Sequence, residues 1–280
     1  MLNITRKQVF AASKYSVGAA AILVFIGWLL FTPPGLLGKA NAIGYAVCHR
    51  IFERSFHIGN YQLPLCARCS GMYLGAVTGL IFQSIIGWKR SKAPHWGIIA
   101  ILAVFVAAFG IDGANSYLFL LKQIRPGTLP QIHNIYIPNN TLRLLTGSGM
   151  GLGIAAMLFP AFNQSMWSDY DDRHAALPGW KVFGLLLGIQ IGLDLLVLSG
   201  SPTILYPLAI IGVFGVWLLL TMIYAIVWIM ITGQDNKFIK LRQAWLPLLA
   251  GLTMTIFQTA LIDALRFWLT RTWGGFPLVK

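Results

Sequence analysis

Charge is scarce in this sequence. Of its 280 residues only 10% are charged, and 21 lysines and arginines stand against 8 acidic residues. Soluble domains have about 25% charged residues, so an ordinary soluble globular protein is excluded. The sequence also lacks a phosphate-cradling loop, a low-complexity tract and a nucleic-acid-binding motif. We therefore interpret the net charge of +13 as juxtamembrane charge that faces anionic lipid, and we expect no nucleic acid partner.

Long apolar runs dominate the rest of the chain, which is 57% hydrophobic and has a mean hydropathy of +0.70. A run of about 20 apolar residues spans the hydrocarbon of a bilayer. The sequence therefore predicts an all-α, polytopic integral membrane helical bundle with about seven transmembrane helices, whose lipid bilayer is its first partner. The predicted spans are 15–32, 67–88, 95–119, 141–163, 180–199, 204–232 and 244–269.

Three regions are predicted from these spans. Residues 1–32 form a membrane anchor helix, 33–163 a core with a Cys/His loop and helices two to four, and 164–280 the last three helices. Ala40-Asn41-Ala42 resembles a signal-peptidase site. A cleaved signal has a shorter apolar core of about 7–15 residues, so we expect the anchor to be retained.

Lysines favour one orientation in the membrane. With the N-terminus inside, seven lysines lie at inner ends and three at outer ends. We therefore expect a multi-pass protein of the plasma membrane whose Cys/His loop lies on the outer face. In a seven-helix meander, loop 33–66 shares its side with the ends of the third, fifth and seventh helices and the start of the fourth.

Polar side chains inside the spans are the first candidates for function, because a charge in hydrocarbon costs several kcal/mol. Asp112 and Asn115 lie on one face of the third helix. The fourth helix begins with Asn140 and Arg143. We predict Asp112, as a proton-transfer group, and Arg143, as an anion holder, to be the catalytic residues.

Two further helices have polar residues in the same half of the membrane. Gln190 and Asp194 end the fifth helix, and Asp263 and Arg266 lie in the seventh. We expect these groups to converge with Asp112 in one pocket. The alternative is that Asp263 and Arg266 form a local ion pair and Asp194 is interfacial. The predicted residues for substrate or anion binding are Arg54, Arg68, Asn115, Asn140, Asp194, Asp263 and Arg266.

Small residues repeat every four positions in two of the predicted helices. Gly71, Gly75 and Gly79 do so in the second, and Gly147 and Gly151 in the fourth. Such ridges let helix backbones approach closely in lipid. The spacing predicts a contact between these helices, which would bring the start of one beside the start of the other.

All three cysteines lie within the stretch CHRIFERSFHIGNYQLPLCARC. Three sulfurs and one imidazole suit a tetrahedral zinc or iron site. The candidate ligands are Cys48, His49, Cys66 and Cys69, with His57 as the alternative imidazole. A Cys66–Cys69 disulfide, a redox-active dithiol and inert cysteines are the other interpretations.

The segment between Cys48 and the Cys66–Cys69 motif contains three charged residues, Arg50, Glu53 and Arg54. They are interpreted as one charged face of a short interfacial helix around 40–56, in which Arg54 can hold a lipid phosphate.

These motifs resemble a bacterial and archaeal membrane family, the domain of unknown function 2085. The resemblance covers 46–155 and depends on "CHRIFERSF", "LCARCSGMYLG", "IDGANS" and "NNTLRLLTGSGMG" in that order. Ser70 stands where the family pattern has threonine, and Asn115 or Ser116 where it often has glutamine. The resemblance implies one motif set but no activity. The set is Cys48, His49, Arg54, Cys66, Arg68, Cys69, Asp112, Gly113, Arg143 and Gly147.

Three functions remain open at this point. The first is a metalloprotein that acts on a lipid or quinone head group, with the metal polarising an oxygen. The second is a non-catalytic accessory or assembly subunit that binds other membrane subunits. The third is a transporter, against which stands the lack of an inverted repeat. The sequence does not decide whether the protein is an enzyme.

Overall fold

The computed structural model describes residues 6–127 and 129–275, and for 6–13 the backbone alone. Within these ranges the chain forms eight α-helices and four short strands. The helices are α1 Arg6–Phe31, α2 Gly35–Val47, α3 Ala67–Ile86, α4 Trp96–Ile124, α5 Asn140–Met166, α6 Trp180–Leu198, α7 Pro202–Thr232 and α8 Trp245–Thr270. The strands are β1 Ser55–Ile58, β2 Tyr61–Cys66, β3 Arg90–Lys92 and β4 Asp171–Ala175.

Seven helices of the described part are long and apolar enough to cross a membrane, which confirms the predicted all-α polytopic bundle. The helix that does not span is α2. The third span is longer than predicted, because α4 continues through the polar residues after 119 to Ile124. Orientation and the plasma membrane remain predictions, and Lys280, one of the lysines counted for it, lies outside the described residues.

Two helix starts are set by side-chain caps. The His95 ring accepts a hydrogen bond from the N–H of Gly97 at the start of α4, at 3.2 Å. The Asn139 side chain accepts one from the N–H of Leu142 at the start of α5, at 2.8 Å. Each cap satisfies a backbone donor that the helix leaves unpaired, and so defines where the helix begins.

The segment between the first two spans differs from its prediction. No helix covers 40–56; instead α2 ends at Val47, and Cys48 is extended. A 3₁₀ turn at Phe52–Arg54 leads into an antiparallel hairpin of β1 and β2, which turns at Gly59 with φ +57°. Gly59 suits this turn because glycine adopts positive φ without strain. A helix through 56 would have carried β1 away from its partner.

The hairpin, α2 and the neighbouring helix ends form the side of the bundle that we call the cysteine face. It consists of 33–66, 125–127, 129–139, 199–201 and 271–275. A Cβ at Gly44 of α2 would lie 2.0 Å from the carbonyl oxygen of Pro64. Only glycine therefore permits α2 to lie so close to β2. On the opposite side, β3 and β4 pair in parallel.

The centre of the bundle is the contact between α3 and α5, as the glycine spacing predicts. A Cβ at Gly71 would lie 2.2 Å from the carbonyl oxygen of Leu144, and one at Gly147 would lie 2.2 Å from that of Arg68. A Cβ at Gly151 would lie 2.1 Å from the carbonyl oxygen of Met72. The glycines thus bring the two backbones together and place the start of α3 beside the start of α5.

The other helices pack around this pair. Helix α7 packs against α3 and α8, α4 against α5, and α1 against α8. One apolar cluster joins α3, α5 and α7 through Leu80, Phe159 and Leu219. A second joins Trp28 of α1 to Val216 of α7 and to Cys48 and Cys66. The cysteines therefore lie on the cysteine-face side of a packed core.

Candidate functional site

The three cysteines converge. Their Sγ atoms all lie within 4.8 Å of one another. Cys48 ends α2, Cys66 ends β2 and precedes α3, and Cys69 lies in the first turn of α3. All three are free thiols. Sulfurs at tetrahedral positions around zinc are about 3.8 Å apart, from a Zn–S distance of about 2.3 Å, so this group can hold a metal ion.

Backbone N–H groups point at the Cys48 sulfur. The N–H of Cys66 donates to it at 3.3 Å and that of Arg50 at 3.4 Å. Arg50 has φ +49°, which is uncommon for a residue with a side chain. Two N–H donors stabilise negative charge on the sulfur, so the local backbone favours Cys48 as a thiolate once its proton is removed.

The thiols of this group share their protons unequally. Hydrogen bonds with the thiols of Cys48 and Cys69 lower the pKa of Cys66 well below its usual value. The hydrogen bond with Cys66, together with burial, raises the pKa of Cys48 to about 12. Without a metal, Cys48 therefore stays protonated at neutral pH, and Cys66 is the thiol of the three that loses its proton most readily.

The predicted imidazole ligands lie outside this group of sulfurs. His49 is half-buried, and burial lowers its pKa, with the positive charges of nearby arginines acting in the same direction. Its ring is therefore neutral at pH 7, the form that binds metals. The ring of His57 lies against Phe52, with centroids 4.1 Å apart. Three cysteines, rather than three cysteines and a histidine, form the cluster in the structure.

Arg266 of α8 holds the main chain at Cys48. Its guanidinium donates to the carbonyl oxygen of Cys48 at 2.6 Å and also to that of Tyr45. The same group lies 3.9 Å from the centroid of the Tyr45 ring. Arg266, predicted to bind an anion, is thus occupied with positioning the first cysteine.

Asp112 is buried, and its side-chain partners are Arg68 and Tyr136. Arg68 donates to its Oδ2 through Nε at 3.0 Å and through Nη2. The Tyr136 hydroxyl donates to Oδ1 at 2.6 Å. Among the described residues the ion pair of Asp112 is with Arg68, a pairing that the sequence did not predict. Both carboxylate oxygens of Asp112 are therefore engaged.

The loop between α4 and α5 is fastened to the same turn of α4. Asn115 donates to the carbonyl oxygen of Tyr136 at 2.9 Å and accepts from the N–H of Ile135 at 2.9 Å. Burial, and then the hydrogen bond to Asp112, raise the pKa of Tyr136 to about 12. Asn115, predicted to bind substrate, fixes this loop, so that Tyr136 reaches Asp112 as a hydrogen-bond donor.

Arg54 approaches the pair from the hairpin segment. Its guanidinium donates to the carbonyl oxygen of Ser116 at 2.9 Å, and Arg68 donates to the Ser116 hydroxyl at 3.0 Å. Burial, followed by the charge of Arg68, lowers the pKa of Arg54. Two guanidiniums therefore share the turn of α4 that holds one carboxylate.

Arg143 completes the arginine group. It is 6% exposed and lies within electrostatic range of Arg54, Arg68 and Asp112. Its Nη1 donates to the Asn140 side chain at 2.9 Å, and Asn140 donates to the carbonyl oxygen of Glu53 at 3.2 Å. The Nε of Arg143 is buried and has no hydrogen-bond partner among the described residues. We call Arg54, Arg68 and Arg143 the arginine cluster.

Two of the predicted carboxylates do not join this cluster. Asp194 of α6 accepts from Ser148 at 2.7 Å and from Gln190 at 3.0 Å, both buried. Asp263 of α8 accepts from the indole N–H of Trp28 at 3.4 Å. The predicted single pocket is therefore wrong: the polar groups divide among three places, because each helix presents its polar residue to a different neighbour.

Sequence reasoning missed Tyr136 and Ser148 as partners of Asp112 and Asp194. Tyr136 lies in a loop whose path has no periodic signal. Ser148 lies among the small residues of α5, and a run of small residues indicates only close helix packing. One signal in the sequence could have indicated Arg68 as the partner of Asp112. Arg68 lies inside the Cys-x-x-Cys motif, in the first turn of a helix and next to the sulfurs.

The family model described as "Predicted membrane protein (DUF2085)" matches residues 48–157. An uncharacterised protein of Methanothermobacter thermautotrophicus is 31% identical over 111 residues, which are 40% of this chain and 83% of that protein. An uncharacterised protein of Methanocaldococcus jannaschii is 25% identical over 130 residues, 46% of this chain and 72% of that protein. No solved structure matches the chain.

The matched region contains the three cysteines, the arginine cluster and Asp112. Helices α6, α7 and α8 lie outside it, and with them Asp194, Asp263 and Arg266. The polar residues around the cysteines and Asp112 thus belong to the family match, whereas the two separate carboxylates, Asp194 and Asp263, do not.

Proposed function

Because the chain belongs to the DUF2085 family of predicted membrane proteins, we propose a function for the site in the matched region. The protein holds a metal ion on Cys48, Cys66 and Cys69 and binds an anionic head group beside it through the arginine cluster. Zinc or iron suits three thiolates. The anionic group is a phosphate or carboxylate, presented at the cysteine face by a lipid or dissolved in water.

The observation that carries this proposal is the position of Arg68. In sequence it lies between Cys66 and Cys69, in the first turn of α3. Its guanidinium belongs to the arginine cluster and donates to Asp112. The sulfurs and the arginines are thus two sides of one helical turn. A ligand at the arginines lies next to whatever the sulfurs hold.

The charges favour an anion over a neutral quinone. Three guanidiniums and one buried carboxylate leave two positive charges in the arginine cluster and its partner Asp112. The buried Nε of Arg143, which lacks a partner among the described residues, offers a donor to the ligand. Guanidinium groups bind phosphate and carboxylate oxygens by paired, charge-assisted hydrogen bonds.

The residues then have distinct roles. Arg143 and Arg54 bind the anion, and Asp112 and Tyr136 hold Arg68 in place. Three thiolates leave one of the four tetrahedral positions for water or for a ligand oxygen, which is the arrangement of zinc sites that act as Lewis acids. Asp112 has both oxygens engaged, so we assign it to positioning rather than to proton transfer.

Element analysis tests the metal. Protein purified without added metal is compared with the Cys66→Ser variant. We expect about one equivalent of zinc or iron in the wild type and its loss in the variant. If the wild type contains no metal and mass spectrometry finds a Cys66–Cys69 disulfide, the metal site is refuted and the interpretation as a redox-active dithiol takes its place.

The anion is tested in nanodiscs by the thermal unfolding midpoint. Phosphatidylglycerol, relative to phosphatidylcholine, is expected to stabilise the wild type, and inorganic phosphate in the buffer distinguishes a dissolved anion from a lipid. Arg143→Gln should lose this stabilisation, corresponding to roughly a tenfold loss of affinity for one charged hydrogen-bond donor. Arg242→Gln, an exposed arginine on the opposite side, is the matched control. Bound metal without any anion preference would indicate a purely structural metal in an accessory subunit.

A further inference from the structure

A second site lies between α1 and α8, outside the region that the family model matches. It is a cavity of about 580 Å³, lined by the aromatic side chains of Trp28, Phe31, Phe257, Phe267 and Trp268. Small-molecule sites have volumes of about 300–1,000 Å³ and are mostly apolar, with a few polar groups that orient the ligand. The cavity has this size and this lining.

The cavity opens toward the bilayer. Phe31 and Trp268, on its two walls, are 84% and 65% exposed. Both belong to helices that are long and apolar enough to span the membrane, so we expect the exposed parts of these rings to face lipid. A molecule dissolved in the bilayer can therefore enter between α1 and α8 without crossing water.

One carboxyl group lies in this apolar wall. Asp263 lines the cavity and is 2% exposed. Its Oδ2 accepts a hydrogen bond from the indole N–H of Trp28 at 3.4 Å, and its Oδ1 has no partner among the described residues. A buried polar atom without a hydrogen bond costs about 1–3 kcal/mol. A ligand that donates a hydrogen bond to Oδ1 removes this cost.

The surrounding charges decide which donor fits. Arg271 also lines the cavity, and the Nζ of Lys39 lies 5.5 Å from the centroid of the Trp28 ring. These two cations disfavour an ammonium group, and burying an ammonium in an apolar wall adds a desolvation cost. A carboxylate ligand would face the oxygens of Asp263. A neutral hydroxyl satisfies Oδ1 and avoids both penalties.

We propose that the cavity between α1 and α8 binds a membrane-soluble alcohol, with its hydroxyl group on Asp263 and its apolar chain leaving between Phe31 and Trp268. The ligand class includes long-chain and isoprenoid alcohols and quinols, which share an apolar body and a neutral O–H donor. This site is distinct from the metal site and the arginine cluster, because its lining contains none of the three cysteines and none of Arg54, Arg68 and Arg143.

The test uses two ligands that differ only in the donor: 1-dodecanol and dodecyl methyl ether, each with a terminal bromine that quenches tryptophan fluorescence. In nanodiscs containing wild-type protein, the alcohol is expected to quench saturably and to bind about tenfold more tightly than the ether, the effect of roughly one hydrogen bond. Equal affinities, or quenching that does not saturate, would overturn the proposal. Dodecylammonium binding more tightly than dodecanol would overturn the neutral donor.

Variants assign the difference to Asp263. Asp263→Leu should reduce the affinity for the alcohol to that for the ether. Asp194→Leu, which removes another buried membrane carboxyl outside this cavity, should keep the preference. Persistence of the preference in Asp263→Leu would refute the assigned contact. If Asp263→Leu does not fold, Asp263→Asn keeps an acceptor and should retain a preference, and the wild-type ligand comparison still decides the proposal.

Discussion

The guanidinium of Arg68 and the carboxylate of Asp112 form an ion pair that ties the first turn of α3 to α4. The Arg68 side chain is 16% exposed and that of Asp112 is 1% exposed. The Ser116 hydroxyl and the backbone carbonyl of Asp112 also accept from Arg68. Both carboxylate oxygens of Asp112 are thus hydrogen-bonded, and the pair holds the side chain of Arg68, which lies between Cys66 and Cys69 in sequence, beside the turn of α4 that Arg54 also contacts.

Breaking this pair from one side should destabilise the protein strongly. We expect Asp112→Ala to lower the free energy of unfolding by roughly 3 kcal/mol, because it leaves the arginine with an uncompensated charge. The double variant Arg68→Met with Asp112→Leu should regain much of this stability. Thermal unfolding in detergent measures both effects. An Asp112→Ala protein as stable as wild type would show that the pair is unimportant for the fold.

The contact between α3 and α5 supplies a second prediction. Gly147→Ala would place a Cβ 2.2 Å from the carbonyl oxygen of Arg68, so the helices must separate. We expect a loss of roughly 1–3 kcal/mol, the cost typical of overpacking. Gly188→Ala is the matched control, because nothing lies within 4 Å of a Cβ at that position of α6. It should be neutral or stabilising by about 0.5–1 kcal/mol. Similar losses in both variants would contradict the close contact.

Periodicity and composition predicted the features that depend on one helix and its solvent. The seven spans follow from apolar runs because the bilayer acts on each helix separately. The contact of α3 with α5 followed from Gly71, Gly75, Gly147 and Gly151, since close approach in lipid needs small side chains on both surfaces. The closeness of Cys66 and Cys69 also followed from the sequence, because they are one helical turn apart, whereas the position of Cys48 beside them depends on how α2 packs against β2.

The hydrogen-bond and ion-pair partners of the buried polar residues could not be predicted from the sequence in this way. Asp112, Asp194 and Asp263 each lie in the half of their helix nearer the cysteine face, but their rotation about the helix axes is set by packing between helices distant in sequence. The ion pair of Asp112 with Arg68 was not predicted, because Arg68 was expected only as a group that binds an anion. The helix predicted around 40–56 failed because the register of β1 with β2 depends on contacts outside that segment.

Arg266 should control metal affinity although it lies on a distant helix. It donates to the carbonyl oxygens of Tyr45 and Cys48, and so fixes the main chain that carries the Cys48 sulfur. Arg266→Gln is expected to weaken zinc binding by about tenfold or more, as is typical when a group that positions a ligand is removed. Competition with a chelating dye measures the affinity. Arg271→Gln, five positions further, is the control and should bind zinc like wild type.

Zinc binding should release at least one proton at neutral pH. The pKa of Cys48 is raised to about 12 by its hydrogen bond with Cys66 and by burial, so its thiol is protonated before the metal arrives. The pKa of Cys66 is lowered instead, so its sulfur gives up a proton more easily than that of Cys48. Coordination requires deprotonated sulfur, and the proton of Cys48 must therefore leave.

The sign of the pH dependence follows from this difference. As the pH falls, protons compete more strongly for Cys48, and the apparent zinc affinity should decrease by about tenfold per pH unit for each proton released. The affinity should therefore be higher at pH 8 than at pH 6. An indicator dye in weakly buffered solution counts the protons, and Cys48→Ser should release fewer of them per zinc ion. Zinc affinity that is constant from pH 6 to 8, without proton release, would mean that zinc does not bind to Cys48.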